Sequence, residues 1–193
     1  MAESADPPLV LRCRRNEREV AATWTLGPDA LERTEGNGLT KKMAYGEVKE
    51  LRLLYDPARA APNRFRCDLN SVAGHRVSLM SKSFVTPGVY DDRSSGYTPF
   101  VRELIQRVGT AAPACKFYAG QTSWSFFGGH ALGLIGVLVI AHLAARFGGL
   151  PPNAALILKI VMAAAYLAIA ALSAKRRRPR SFKAQSIPPD MLP

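Results

Sequence analysis

The chain has 193 residues, enough for one or two domains, with 26 Lys plus Arg against 15 Asp plus Glu and a formal net charge of +11. Its three cysteines, Cys13, Cys67 and Cys115, are odd in number and widely spaced; they show no metal-ligand or CxxC spacing, which fits a reducing compartment. The basic excess is uneven: residues 1–123 hold 18 basic and 14 acidic residues, whereas the tail from Lys175 onward holds six basic residues against Asp190 alone.

Residues 1–19 read as a polar N-terminal extension in which Pro7-Pro8 breaks any early helix. The stretch has no apolar h-region, so no secretory signal peptide is expected. From residue 20 the pattern turns to period two. A strand is predicted around Val20–Leu26, a turn at Gly27-Pro28-Asp29, a strand over Ala30–Glu35, and a hairpin turn at Gly36-Asn37-Gly38. Short strands follow near Lys41–Tyr45 and over Val48–Tyr55. The clearest alternation is Arg64–Asn70, with Phe65, Cys67 and Leu69 on one face. A turn at Ala73-Gly74 leads to a strand from His75 to Lys82, and Thr86–Tyr97 reads as a connection with room for one more strand. Then the period changes. Thr98 suits a helix N-cap, Pro99 the first helical position and Gly109 the stop; Phe100, Val101, Leu104, Ile105 and Val108 form one apolar stripe between them.

Several short antiparallel strands closed by one amphipathic helix define an α+β domain over residues 20–109, a small sheet or barrel whose open end the helix plugs. This stretch resembles the bacterial pleckstrin-homology-like (PH-like) domains, many of which are fused to membrane helices. The resemblance covers Val20 to Val108. It rests on the opening strand with Trp24 and Leu26, on Tyr45-Gly46-Glu47-Val48-Lys49-Glu50-Leu51-Arg52-Leu53, and on the helix from Tyr97 to Val108. It implies a binding module without naming the ligand.

Residues 110–123 read as a linker of small and polar residues; Phe117 and Tyr118 within it and Trp124 just after it are expected as aromatic anchors at a bilayer entrance. From 124 to 174 the chain is apolar. Two runs, about 125–146 and 153–174, are each close to the ~20 residues that cross a ~30 Å hydrocarbon core, and Gly148-Gly149-Leu150-Pro151-Pro152-Asn153 breaks them into a transmembrane helical hairpin. Only Arg146 and Lys159 are charged there, both able to snorkel toward the interface. The tail 175–193 begins with Lys175, Arg176, Arg177, Arg178 and Arg180, so the positive-inside rule places both ends in the cytoplasm and the Gly/Pro turn outside. With Lys41 and Lys42, these residues are the candidate contacts for the anionic inner leaflet; no nucleic-acid partner is expected. The last segment, Ser186-Ile187-Pro188-Pro189-Asp190-Met191-Leu192-Pro193, reads as a disordered tail, with docking on a partner or on the protein's own sheet edge as the alternative.

Gly129, Gly133 and Gly136 are candidate helix-packing positions, either within the hairpin or in a homo-oligomer. His130 and His142 raise haem or proton chemistry, but the second run offers no opposing histidine, only Met162. In the soluble domain His75 stands alone, and Asp91 with Asp92 reads as a solvated loop rather than a metal pair. No phosphate loop, dinucleotide fingerprint or zinc spacing occurs, so no catalytic, cofactor-binding or metal-binding residue is expected. The resulting expectation is a non-enzymatic integral protein of the plasma (inner) membrane presenting a binding or scaffolding domain to an unidentified protein partner and to lipid. The alternative is a small oligomeric transporter, channel or redox subunit formed by the hairpin.

Overall fold

A computed structural model describes residues 9–174 and 177–193. The chain forms two compact units, one joining the chain up to Gly120 with Arg180–Pro193, the other comprising Gln121–Pro179.

In the first unit, period-two burial builds the sheets. Leu11 and Cys13 of β1 (Val10–Cys13) point inward, as do Ala22, Trp24 and Leu26 of β2 (Ala22–Leu26). β3 (Ala30–Glu35) and β4 (Thr40–Ala44) complete a four-stranded antiparallel sheet in the order β1-β2-β3-β4. Gly38 in the β3–β4 turn has φ +81°, a conformation that costs glycine no Cβ clash. A 3₁₀ turn at Tyr45–Glu47 leads to β5 (Val48–Tyr55), β6 (Phe65–Ser71) and β7 (Arg76–Met80), which pair in sequence. The region expected as one strand and a loop splits differently. Ser81 is buried, its hydroxyl accepting the Phe65 N–H, and β8 (Lys82–Thr86) turns back through Gly88 into β9 (Val89–Asp92) as a separate hairpin.

Helix α1 (Ser94–Ala111) starts about a turn earlier than its sequence signals suggest. The Asp92 carboxylate accepts the Ser94 N–H at 2.8 Å, and Tyr97 extends the apolar stripe backward. Tyr97, Phe100, Val101, Leu104, Ile105 and Val108 are all completely buried. Side chains of this size contribute roughly 1.5–3 kcal/mol each on burial, so this stripe is a main source of the unit's cohesion.

Three further elements revise the expected boundaries. The polar extension contains β1, because Leu11 and Cys13 alternate inward among arginines. The expected linker contains β10 (Lys116–Ala119), which adds to β5 in parallel, Phe117 beside Leu51 and Ala119 beside Leu53. The tail is not free either. β11 (Arg180–Ser181) pairs antiparallel with β10, making the sheet β11-β10-β5-β6-β7. Beyond it the Phe182 N–H donates to the Phe117 carbonyl, the two rings lie 5.7 Å apart, and Arg180 pairs with Asp190. A second 3₁₀ turn, Pro189–Met191, drives Met191 and Leu192 into the core. Gly109 is no helix stop: a Cβ there would stand 2.7 Å from that of Ala184, so glycine is what lets the tail close on α1.

Because Met191 is fully buried, Met191→Ala is expected to destabilise the soluble unit by about 2–5 kcal/mol. Denaturant unfolding of the detergent-solubilised chain, followed by near-UV circular dichroism, measures this. A loss below about 0.5 kcal/mol, the range of ordinary surface substitutions, would mean the tail is not part of the core.

Candidate membrane-spanning hairpin

Helix α2 (Ser123–Phe147) opens on Thr122, whose hydroxyl accepts the Ser125 N–H at 3.3 Å as an N-cap. Gly148 closes it, Gly149 turns the chain at φ +63°, and α3 (Pro152–Ala174) begins with proline at a position where the missing N–H costs nothing. At ~1.5 Å per residue both helices exceed ~30 Å. Both are long and apolar enough to cross a membrane, and only 11% and 0% of their apolar windows are buried. A core helix of a water-soluble protein would be mostly covered; these present Leu132, Ile140, Ile157, Ile169 and Leu172 uncovered. At the open end the Gln121 N–H donates to the Arg177 carbonyl at 3.0 Å, so both ends of the hairpin leave it side by side.

Helix α2 packs along α3 in the hairpin, and its buried residues are Phe126, Ala141 and Ala145. A polar contact joins the two helices. The Tyr166 hydroxyl donates to the His130 carbonyl at 3.2 Å and lies 3.5 Å from His130 Nδ1, while the His130 ring meets Phe126 edge-on at 4.7 Å. Gly133 lies directly beneath the Tyr166 phenol, where any Cβ would overlap it. Gly129 and Gly136 have nothing within 4 Å of an added Cβ. The glycine spacing thus joins residues with different surroundings: Gly133 packs within the hairpin, and the other two face open space. Tyr166 was missed by sequence reading; its one signal was a single hydroxyl in an alanine-rich run.

Other expected positions fall elsewhere. Phe117 and Tyr118 are not bilayer anchors: Phe117 is buried in the soluble unit and Tyr118 lies under the Arg52 guanidinium at 4.6 Å. Trp124 is 89% exposed on the first turn of α2. Lys41 and Lys42 do not form a free cationic pair, because Lys42 Nζ is 2.6 Å from Glu32 and Lys41 Nζ 4.0 Å from Glu35. Both stand on edge strand β4, where lysines discourage pairing with another chain. Arg180 belongs to the soluble unit through Asp190; Arg177 is half-buried, Arg178 is exposed, and Lys175 and Arg176 lie outside the described residues. His142 is exposed and Lys159 half-buried in the hairpin, and His75 is exposed at a turn.

Asp91 pairs with Arg93, and hydrogen bonds from the Ser94 hydroxyl and N–H hold the Asp92 carboxyl below its ordinary value just ahead of α1. Burial raises all three thiols, Cys13 and most strongly Cys67, with Cys115 pushed up to about 11. No group of three His, Cys, Asp or Glu side chains able to hold a metal ion occurs among the described residues. No family model, curated protein or solved structure matches the chain.

Tyr166→Phe is expected to weaken the hairpin by about 0.6 kcal/mol and at most about 1.7, the range of single interhelical hydrogen bonds in lipid. Gly133→Val is expected to cost more than Gly136→Val, since only position 133 meets the phenol. Unfolding of the full chain in bicelles under steric trapping reports these differences; equal effects at 133 and 136 would contradict the seam.

Proposed function

We propose that this chain is a non-enzymatic membrane protein that holds a PH-like binding or scaffolding domain at the cytoplasmic face of the plasma membrane. The observation that carries the reading is the pair of long helices left apolar and uncovered, joined at their far end by a Gly/Pro turn. Lipid is the medium in which such surfaces cost nothing, and a helix satisfies its own backbone there. The basic run from Lys175 to Arg178 follows directly on α3 and favours a cytoplasmic location for both ends of the hairpin.

The PH-like reading is supported by element order: four antiparallel strands, three more in a second sheet, and a helix whose entire apolar stripe is buried in the common core. The β8–β9 hairpin, β10, β11 and the tail are additions to that pattern. The domain offers its partner a surface rather than a reaction centre. In the hairpin, the His130 carbonyl is already engaged by the Tyr166 hydroxyl.

The full-length product is expected in the membrane pellet after an alkaline carbonate wash. A reporter after Pro193 should read as cytoplasmic, and one in the Gly148–Asn153 turn as external. Recovery in the supernatant without detergent, or the reverse pair of signals, would overturn the proposal.

A further inference from the structure

The β8–β9 ribbon stands apart from the rest of the soluble unit. Among the described residues, neither strand joins the two larger sheets, and no side chain from Lys82 to Asp92 belongs to the hydrophobic core. A two-stranded ribbon left to itself is marginally stable, and this one is braced from outside its own ladder. The Arg93 N–H donates to the Ser81 carbonyl at 2.9 Å and closes the root, and the Phe84 N–H donates to the Arg14 carbonyl at 2.8 Å. Phe84 and Tyr90 meet edge-on at 5.8 Å; the Arg14 guanidinium is 5.5 Å from the first ring and that of Arg64 5.6 Å from the second. Toward the root each carboxylate faces a cation, Asp91 with Arg93 and Asp92 with Lys82. What this frame holds out is an uncharged tip, Val85-Thr86-Pro87-Gly88-Val89, in which the two valines are 48% and 52% exposed.

The strand register puts this ribbon at one particular end of the second sheet. Ala119, Leu53, Cys67 and Leu79 stand in one row across β10, β5, β6 and β7. One residue further on, the chain passes from Gly120 toward the Thr122 cap of α2, and from Met80 through Ser81 into the ribbon. Tyr90, halfway along the ribbon, lies against Arg64, which the Asp56 carboxylate holds beyond the last β5–β6 pair. The connection Gly120-Gln121-Thr122 tethers this end of the sheet within about 10 Å of the first residue of α2, by chain length alone. The turn that carries Val72 is at the opposite end of the same strands.

We propose that the Val85–Val89 tip is a membrane-docking element, seated in the headgroup boundary of the bilayer that α2 and α3 cross. It rests on the membrane reading above and adds to it a second, non-spanning contact made by the soluble unit. An uncharged valine tip on a braced ribbon, with a tyrosine and arginines behind it, has the order of polarity found from the acyl boundary outward to water. The tether of this end of the sheet to α2 is what selects lipid as the occupant.

The test uses the full chain with Cys115→Ser, in which Cys13 and Cys67 are buried. A single added cysteine replaces Val85, Val89, Val72 or Ile140 and carries a nitroxide, in nanodiscs of phosphatidylcholine and phosphatidylglycerol. Power-saturation EPR compares collisions with oxygen and with a water-soluble nickel chelate. Position 140, 62% exposed in α2, checks the membrane reading itself; position 72, 74% exposed, is an apolar control at the far end of the sheet. Labels at 85 and 89 are expected to lose nickel collisions severalfold relative to 72, since a side chain ~5–10 Å inside the boundary is shielded from a polar reagent. Readings at 85 and 89 no different from 72, with 140 immersed, would overturn this inference alone and leave the tip to a protein partner. Protection that survives transfer to amphipol, which has no headgroup layer, would overturn it too. Nickel exposure at 140 would instead overturn the membrane reading on which it rests.

Discussion

Ala119 and Arg180 stand opposite each other as sheet neighbours, although residues 120–179 run between them in the chain. That antiparallel pairing is the constraint from which the architecture follows. It brings Phe182 onto Phe117, lets Ala184 close on Gly109, and seats Met191 and Leu192 in the core. Residues 180–193 are therefore part of the first compact unit and of its core. The helical hairpin is a long excursion out of a β10–β11 connection, and not an appendage after a finished domain.

A closed excursion constrains what the hairpin can do. Its two ends are already tied by the Gln121–Arg177 hydrogen bond, and both flanking segments belong to one folded unit. An odd number of crossings between them is incompatible with that pairing, because it would carry Arg180 to the opposite side from Ala119. The apolar flanks of α2 and α3, left open by a seam of small residues and one tyrosine hydroxyl, are suited to a medium without competing water. Burial raises all three thiols above their ordinary value, Cys115 to about 11.

Sequence patterning reached the elements whose signal is local. β3 and β5 have the boundaries their alternation gives, both long helices are where their apolar continuity puts them, and the apolar stripe of α1 is the buried one although the helix runs further at both ends. What escaped was pairing between distant short segments. β10 has four residues and β11 two, too few for a period to register, and their partners lie far away in the chain. Phe117 and Tyr118 looked like interfacial aromatics because they directly precede an apolar run; the strand they form is visible only beside β5. The proline-rich end carries no periodicity, yet Ile187, Met191 and Leu192 suffice to fill a gap that α1 and the sheets leave. Charge was equally misleading. Lys41 and Lys42 look free in one dimension and meet Glu35 and Glu32 across the β3–β4 register.

The most direct measurement is excision of residues 121–179, with Ala119-Gly120 joined to Arg180 by a short glycine-containing turn of the kind that links antiparallel strands. The expected product is a water-soluble monomer that needs no detergent, whose amide spectrum is dispersed and in which β10, β11 and Met191 are protected from hydrogen exchange. An insoluble or unfolded product, or a folded one with the 180–193 segment unprotected, would contradict the hairpin's place as an excursion from a domain that its own tail completes.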